Sequence, residues 1–158
     1  MTQTQQNLQS FLARATAKAA EDLIAAVERV PDDKRAWSPM GDARTVLDVA
    51  AECAILNGST VGMLQTRAWP AEYDFADYER QKAELAGRGW DAVKALLNEN
   101  TPKAIAAIKE LKDEDLGVEV PMPWGNFTVA QIASYPYWNM CYHEGQANYV
   151  AAMLGKLE

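Results

Sequence analysis

The sequence predicts an all-α fold, a four-helix bundle with long loops and a short extra helix between helices two and three. Apolar residues recur at helical spacing in four segments, residues 8–30, 43–64, 90–111 and 132–153. Proline, glycine and other turn residues collect between these segments. No internal repeat or low-complexity tract interrupts the pattern, so we expect one domain over residues 1–158.

The first two helices are separated by a turn-rich loop. Pro31 follows the first helical segment and ends it, and Trp37 lies in the loop, where we expect it to pin the loop to the core. The second helix is expected to begin near Ala43, with Asp42 as its N-cap, because a side-chain oxygen there can accept a hydrogen bond from the first turn.

The middle of the chain is less regular. An aromatic-rich run precedes a charged helical piece over residues 79–85, which ends at Gly87 and Gly89. The aromatic side chains either form a lid over a pocket or cover one end of the bundle. In the third helix, Pro102 either kinks a continuous helix, which we favour, or starts a new helix with Thr101 as its N-cap.

The last helix follows an extended segment. Residues 118–127 alternate apolar residues with two prolines and Gly125, a pattern that predicts a small hairpin. Thr128 is then a suitable N-cap for the final helix. Pro136 lies close to the start of that helix and is expected to kink it.

Composition excludes several classes of protein. Apolar residues make up 49% and charged residues 23% of the 158, as in an ordinary globular domain. The formal charge of -7 opposes binding to nucleic acid. No window is apolar for long enough to span a membrane and no export signal is present, so we expect a cytoplasmic protein with no membrane partner. Free thiols are therefore expected at Cys53 and Cys141.

Polar residues occupy the centre of the apolar face of the last helix. Asn139, His143 and Gln146 share a face that should point into the core, and on burial they need hydrogen bonds, a metal or a ligand as partners. The whole predicted face is Ile132, Tyr135, Asn139, Tyr142, His143, Gln146, Val150 and Met153. His143 is the only histidine of the chain, and this cluster is the best candidate for a site.

Glu52 lies at the edge of the apolar stripe of the second helix, four residues after Asp48. Two carboxylates at this spacing repel each other unless a positive group lies nearby. Either both acids are solvated at the edge of the helix, or Glu52 turns inward and helps to bind a cation.

Four segments carry a resemblance to a known family. In chain order they are VERVPDDKRAWSP, ARTVLDVAAEC, PWGNFTVAQI and YHEGQANYVAAMLG, and the H-x-G-Q element in the last is the most specific. In these segments the sequence resembles the DinB-like superfamily of four-helix bundles, which includes bacillithiol transferases and mycothiol-dependent maleylpyruvate isomerases. The resemblance implies an up-down-down-up bundle.

The resemblance also implies a metal site. Members of that family typically hold a divalent metal with three histidines, one from helix two and an H-x3-H pair from helix four. The corresponding residues of this chain are Glu52, Asn139 and His143. Oxygen ligands in place of imidazole weaken the binding of zinc and nickel and favour harder ions. The implied ion is Mn²⁺, Ni²⁺ or Zn²⁺, and we expect it to be held weakly.

Two functions follow from this resemblance. The first is a metal-dependent hydrolase or thiol S-transferase acting on a small-molecule substrate, with its site between helices two and four. Its pocket is expected to be lined by Tyr142, Gln146 and Trp138. The alternative is a metal-free bundle that binds a small molecule or a partner chain through the remaining cavity.

In both cases we expect a homodimer formed through bundle faces. We also expect a cavity wall of aromatic residues, Trp69, Tyr73, Trp124 and Trp138.

In the metal-free alternative, the three polar side chains satisfy one another. His143 donates to Glu52 and Asn139 bridges them, which would be a stable buried network without chemistry.

Overall fold

The computed structural model describes residues 7–157 and confirms the all-α class. Five helices follow one another along the chain: α1 Leu8–Arg29, α2 Val46–Thr66, α3 Phe75–Gly87, α4 Trp90–Lys109 and α5 Val129–Met153. Between α4 and α5 the chain forms an antiparallel hairpin of β1 Glu119–Met122 and β2 Gly125–Thr128. Single 3₁₀ turns, Asp32–Lys34 and Asp113–Asp115, follow α1 and α4.

The four long helices share two apolar clusters. Both α1 and α2 pack against both α4 and α5. One cluster joins the later parts of α1 and α5 to the earlier parts of α2 and α4; its fully buried members include Leu23, Val27, Ala50, Leu97 and Ala147. The other cluster joins the opposite ends of the same helices and includes Leu12, Leu64, Ile108, Ile132 and, from β1, Val120. The hairpin therefore contributes to the core.

The second helix begins three residues later than expected, and its N-cap is Thr45, not Asp42. The Thr45 backbone is extended, and its hydroxyl accepts a hydrogen bond from the backbone N–H of Asp48 at 3.1 Å. Asp42 and Ala43 lie in an exposed turn, in which the Ala43 N–H donates to the Met40 carbonyl at 3.0 Å. Because both residues are used in this turn, Asp42 is too far from the helix to cap it.

The short helix and the third long helix are both present. The expected piece over residues 79–85 lies inside α3, which begins earlier because Asp74 accepts a hydrogen bond from the Ala76 N–H at 2.8 Å. The helix α4 is continuous through Pro102, which is the alternative that we favoured from the sequence. The alternative, a new helix capped by Thr101, is wrong: the buried Thr101 hydroxyl instead accepts a hydrogen bond from Asn57 Nδ2 at 3.0 Å.

The hairpin and the start of the last helix are as expected. In the hairpin, Val120 pairs with Phe127 across the two strands. Thr128 caps α5, and Gln131 completes a capping box by accepting from the Thr128 N–H at 2.8 Å. Pro136 lies within this continuous helix.

The buried face of α5 differs from the predicted one. Asn139, His143, Ile132 and Val150 are buried as expected, but the other four predicted positions, Tyr135, Tyr142, Gln146 and Met153, are exposed. The face instead includes Ala133, Pro136, Met140, Ala147 and Ala151. Because α5 packs against both α1 and α2, small side chains are buried along a broader face than the apolar stripe suggested.

The cysteines are free, as predicted: Cys53 is buried in α2 and Cys141 is half-buried in α5. Of the helices that the structure describes, only α2 is apolar and long enough to cross a membrane by composition. More than half of its apolar window, 56%, is buried against the rest of the chain, as in the core helix of a soluble protein.

Two glycines of α2 give a matched test of helix packing. A Cβ at Gly62 would meet nothing within 4 Å, whereas one at Gly58 would lie 2.7 Å from Nδ2 of Asn100, which donates to the Ala54 carbonyl at 2.9 Å. We expect Gly62→Ala to raise the free energy of unfolding by about 0.5–1 kcal/mol, because alanine favours the helix. Gly58→Ala should show no gain, since Asn100 must move and lose its bond. Urea unfolding of both variants measures the difference, and equal gains would contradict this packing.

Candidate functional site

The predicted site is built on a hydrogen bond between α2 and α5. Nε2 of His143 donates to Oε1 of Glu52 at 2.9 Å. His143 is buried, with only 2% of its surface exposed, and Glu52 is half-buried. The two residues are distant in sequence, so this bond fixes the relative position of the two helices at the point where the polar cluster interrupts the core.

Arg44 contacts the second oxygen of the same carboxylate. Its Nη1 lies 2.8 Å from Oε2 of Glu52, and its Nε donates to Asp48. Lys82, from α3, extends the network, since its Nζ lies 3.8 Å from Asp48 and 2.7 Å from Glu79. Thus Glu52 and Asp48 do have a positive group between them, and Glu52 turns inward.

The remaining polar residues of α5 have separate partners. Nδ1 of His143 lies 2.7 Å from Oε1 of Gln146, so both ring nitrogens are engaged by side chains. Asn139 does not bridge Glu52 and His143: its Nδ2 donates to Sγ of Cys53 at 3.6 Å. The structure therefore brings Glu52 and His143 together and directs the Asn139 amide to a different partner.

These contacts keep Glu52 ionised. Burial alone would raise the pKa of its carboxyl, but the hydrogen bond from His143 and the charge of Arg44 outweigh burial and lower the pKa to about 2. Burial and the nearby Glu52 charge raise the pKa of Cys53 well above its ordinary value, so this residue stays a neutral thiol. The site therefore holds a fixed carboxylate and no thiolate.

A divalent ion does not fit these residues as they lie. Arg44 already neutralises Glu52 and would repel an ion approaching that carboxylate. Both nitrogens of His143 make hydrogen bonds, and the Asn139 amide is bound to Cys53. Within residues 7–157, no group of three His, Cys, Asp or Glu side chains lies close enough to hold a metal.

An aromatic cavity of about 600 Å³ opens beside Glu52. Its walls come from α2, the segment before α3, α3 itself, the hairpin and the first half of α5. Eight aromatic side chains line it: Trp69, Tyr73, Phe75, Tyr78, Trp124, Phe127, Tyr135 and Trp138. All four predicted wall residues are among them. The aromatic-rich run before α3 thus does line a pocket.

The aromatic rings form two walls. On one side, the Trp69 ring packs against the Tyr73 ring, with centroids 4.5 Å apart, and edge-on against the Trp124 ring at 5.1 Å. On the other side, Trp138 packs between Tyr135 at 5.5 Å and Tyr142 at 5.6 Å along α5. Tyr142 contacts the His143 ring in turn, with centroids 5.2 Å apart.

The predicted pocket residues divide between two concave surfaces. Trp138 lines the aromatic cavity, whereas Tyr142 and Gln146 line a second groove of about 800 Å³ between the loop after α1, the start of α2 and the end of α5. Arg44 also lines this second groove, and Glu52 lines the first. The ion pair therefore separates the two concavities.

Comparison with known families agrees with this architecture. The sequence profile of the DinB superfamily matches residues 3–147, which is most of the chain. The chain belongs to the DinB superfamily. A search of curated proteins finds no match to it. Membership in the DinB superfamily assigns no activity to the chain, because one fold supports many functions.

Sequence reasoning missed three contributors to this DinB-superfamily site. Arg44 carried a usable signal, since it lies four residues before Asp48 and eight before Glu52 and therefore approaches the same helix face. Nothing local connected Cys53 to Asn139. Tyr78 comes directly before the charged helical piece, and only the packing of α3 against α2 brings it to the cavity.

The lowered pKa of Glu52 gives a testable pH dependence. The folded state keeps this carboxylate charged down to about pH 2, while the unfolded chain binds the proton at higher pH, so acid favours unfolding. Between about pH 5 and pH 2 we expect the wild-type protein to lose roughly 1–2 kcal/mol more stability than Glu52→Gln, a value discounted for solvent screening.

Urea unfolding at a series of pH values measures this difference. Glu99→Gln is the matched control, because Glu99 makes only an exposed ion pair with Lys103 at 2.6 Å. The control should retain the acid dependence of the wild type. Parallel pH curves for the wild type and Glu52→Gln would show that the carboxylate is not held by Arg44 and His143.

Proposed function

We propose that this protein binds a small, largely apolar molecule in the aromatic cavity, without a metal. The observation that carries the proposal is the cavity itself, about 600 Å³ with eight aromatic side chains around it. Its volume falls within the range of cavities that bind drug-sized ligands, and such sites are mainly apolar with a few polar groups. The half-exposed Trp124 and Trp138 at its edge would be covered by a ligand.

The charge balance at Glu52 supports a site without metal. Arg44 supplies a positive charge at one carboxylate oxygen and His143 supplies a donor at the other. The carboxylate therefore needs no ion to compensate for its burial. In this arrangement the hydrogen bond between His143 and Glu52 joins α5 to α2 beside the cavity.

The second candidate is a metal-dependent hydrolase or thiol S-transferase. One observation favours it: Glu52 and His143, two of the three residues at the implied metal positions, meet at 2.9 Å from two different helices. Such an ion would have to displace Arg44 from Glu52 and break the hydrogen bond between Nε2 of His143 and Glu52. This cost is why we place the metal-free binding function first.

The bundle order is part of the proposal. We infer an up-down-down-up arrangement of α1, α2, α4 and α5. The first core cluster supports this order, because in it the end of α1 packs with the start of α2, the start of α4 and the end of α5.

A cavity-filling substitution tests the binding function, with naphthalene as the probe. Leu56 lines the aromatic cavity, so Leu56→Trp should fill it and weaken naphthalene binding at least tenfold, measured by equilibrium dialysis. Met153→Trp is the matched control, because Met153 lines the second groove instead. No naphthalene binding to the wild type, or equal binding to wild type and Leu56→Trp, would refute the proposed cavity function.

A metal titration separates the two candidates. We expect the wild type, dialysed against Mn²⁺, Ni²⁺ or Zn²⁺ and then freed of excess ion, to retain no stoichiometric metal and to show no rise in Tm. Arg44→Gln removes the competing positive charge and should bind these ions more tightly than the wild type. Stoichiometric metal in the wild type, lost in His143→Ala, would favour the metal-dependent enzyme instead.

A further inference from the structure

Three tyrosines from separate parts of the chain line the aromatic cavity. Tyr73 precedes α3, Tyr78 lies in α3, and Tyr135 lies in α5. Within the part of the chain that the structure describes, none of their phenol groups hydrogen-bonds to another residue. A phenol is both a donor and an acceptor, and a ligand that leaves it unpaired on binding loses affinity. A well-matched ligand must therefore supply hydrogen-bond partners.

The three phenols keep their protons and line the same cavity as Glu52. Burial, and after it the charge of Glu52, raises the pKa of Tyr135 to about 12 and raises that of Tyr78 further. Burial, Glu79 and Glu52 also raise the pKa of Tyr73. The rings of Tyr73 and Tyr78 lie 6.2 Å apart, and Glu52 lines the same cavity as all three tyrosines. They are available as donors at neutral pH.

The cavity offers no counter-charge to a charged ligand. Of the side chains that the structure places around it, only Glu52 is charged; Arg44 already neutralises that carboxylate, and His143 hydrogen-bonds to it. A charged group entering the cavity would lose its hydration without gaining an unpaired opposite charge. The two aromatic walls, by contrast, suit a flat ring that can pack against their faces.

Building on the proposed binding function, we propose that the ligand is a planar, uncharged aromatic molecule that carries an acceptor oxygen, such as a carbonyl. Its ring packs between the walls formed by Trp69 and Trp138. The oxygen accepts hydrogen bonds from one or more of the phenols of Tyr73, Tyr78 and Tyr135.

Four naphthalene derivatives test this ligand class. They are 2-acetylnaphthalene, with one acceptor oxygen; 2-ethylnaphthalene, of similar shape without it; the cation 2-naphthyltrimethylammonium; and the anion 2-naphthoate. Equilibrium dialysis with the full chain gives each Kd. We expect both ions to bind at least tenfold more weakly than 2-acetylnaphthalene, because the cavity cannot compensate their charge.

Phenylalanine variants separate hydrogen bonding from apolar attraction. Tyr73→Phe, Tyr78→Phe and Tyr135→Phe each remove one hydroxyl that has no hydrogen-bond partner among residues 7–157, so Tm should stay close to that of the wild type. At least one variant should weaken 2-acetylnaphthalene about fivefold, the effect of one hydrogen bond, without weakening 2-ethylnaphthalene. Tyr149→Phe, in the second groove, is the control and should change neither Kd.

Two outcomes would overturn the inference, and they differ in what they say about the cavity. If the uncharged derivatives bind but no phenylalanine variant distinguishes 2-acetylnaphthalene from 2-ethylnaphthalene, or if the cation binds most tightly, the ligand class is wrong and the binding function stands. If none of the four compounds binds, the binding function fails together with the ligand class.

Discussion

The structure around the site depends on the carboxylate of Glu52. One oxygen accepts from His143 of α5, and the other meets Arg44, just before α2. A carboxylate removed from water needs such partners, since removal of either would leave a charge poorly compensated in a partly buried position. This requirement explains why a polar cluster is tolerated among the apolar residues of the first core cluster.

The same carboxylate links the site to the cavity. Glu52 lines the aromatic cavity, and its charge raises the pKa of the tyrosines around it. On the other side of the ion pair, Arg44 and Gln146 line the second groove. The ion pair of Arg44 and Glu52 lies at the boundary of the cavity. Because Arg44 neutralises the carboxylate, the cavity does not attract cations strongly. The chemistry of the cavity is therefore set by aromatic faces and protonated phenols.

The three residues at the metal positions that the resemblance implied each have a partner within the protein. With a carboxylate at residue 52 and an arginine one helical turn before Asp48, the positive charge comes from the protein itself. Asn139 then has no role beside His143 and pairs with the buried thiol of Cys53. Each of these polar side chains thus has the partner that burial requires.

The sequence by itself determined the helical class, the four long helices, the hairpin, the cap at Thr128 and the polar cluster at Asn139 and His143, because these depend on periodicity and on local hydrogen bonding. It also pointed to Glu52 and to the aromatic residues of the cavity. It placed the start of α2 and the buried face of α5 incorrectly, since a competing turn and the contact of α5 with two helices decide them.

Only the tertiary structure decided how the site residues pair. Local sequence cannot show that Gln146 engages His143 from an exposed position or that Asn139 bonds to Cys53, because these partners compete and the packing of α2 against α5 selects among them. The same packing separates Trp138 from Tyr142 and Gln146, and so divides one predicted pocket into a cavity and a groove.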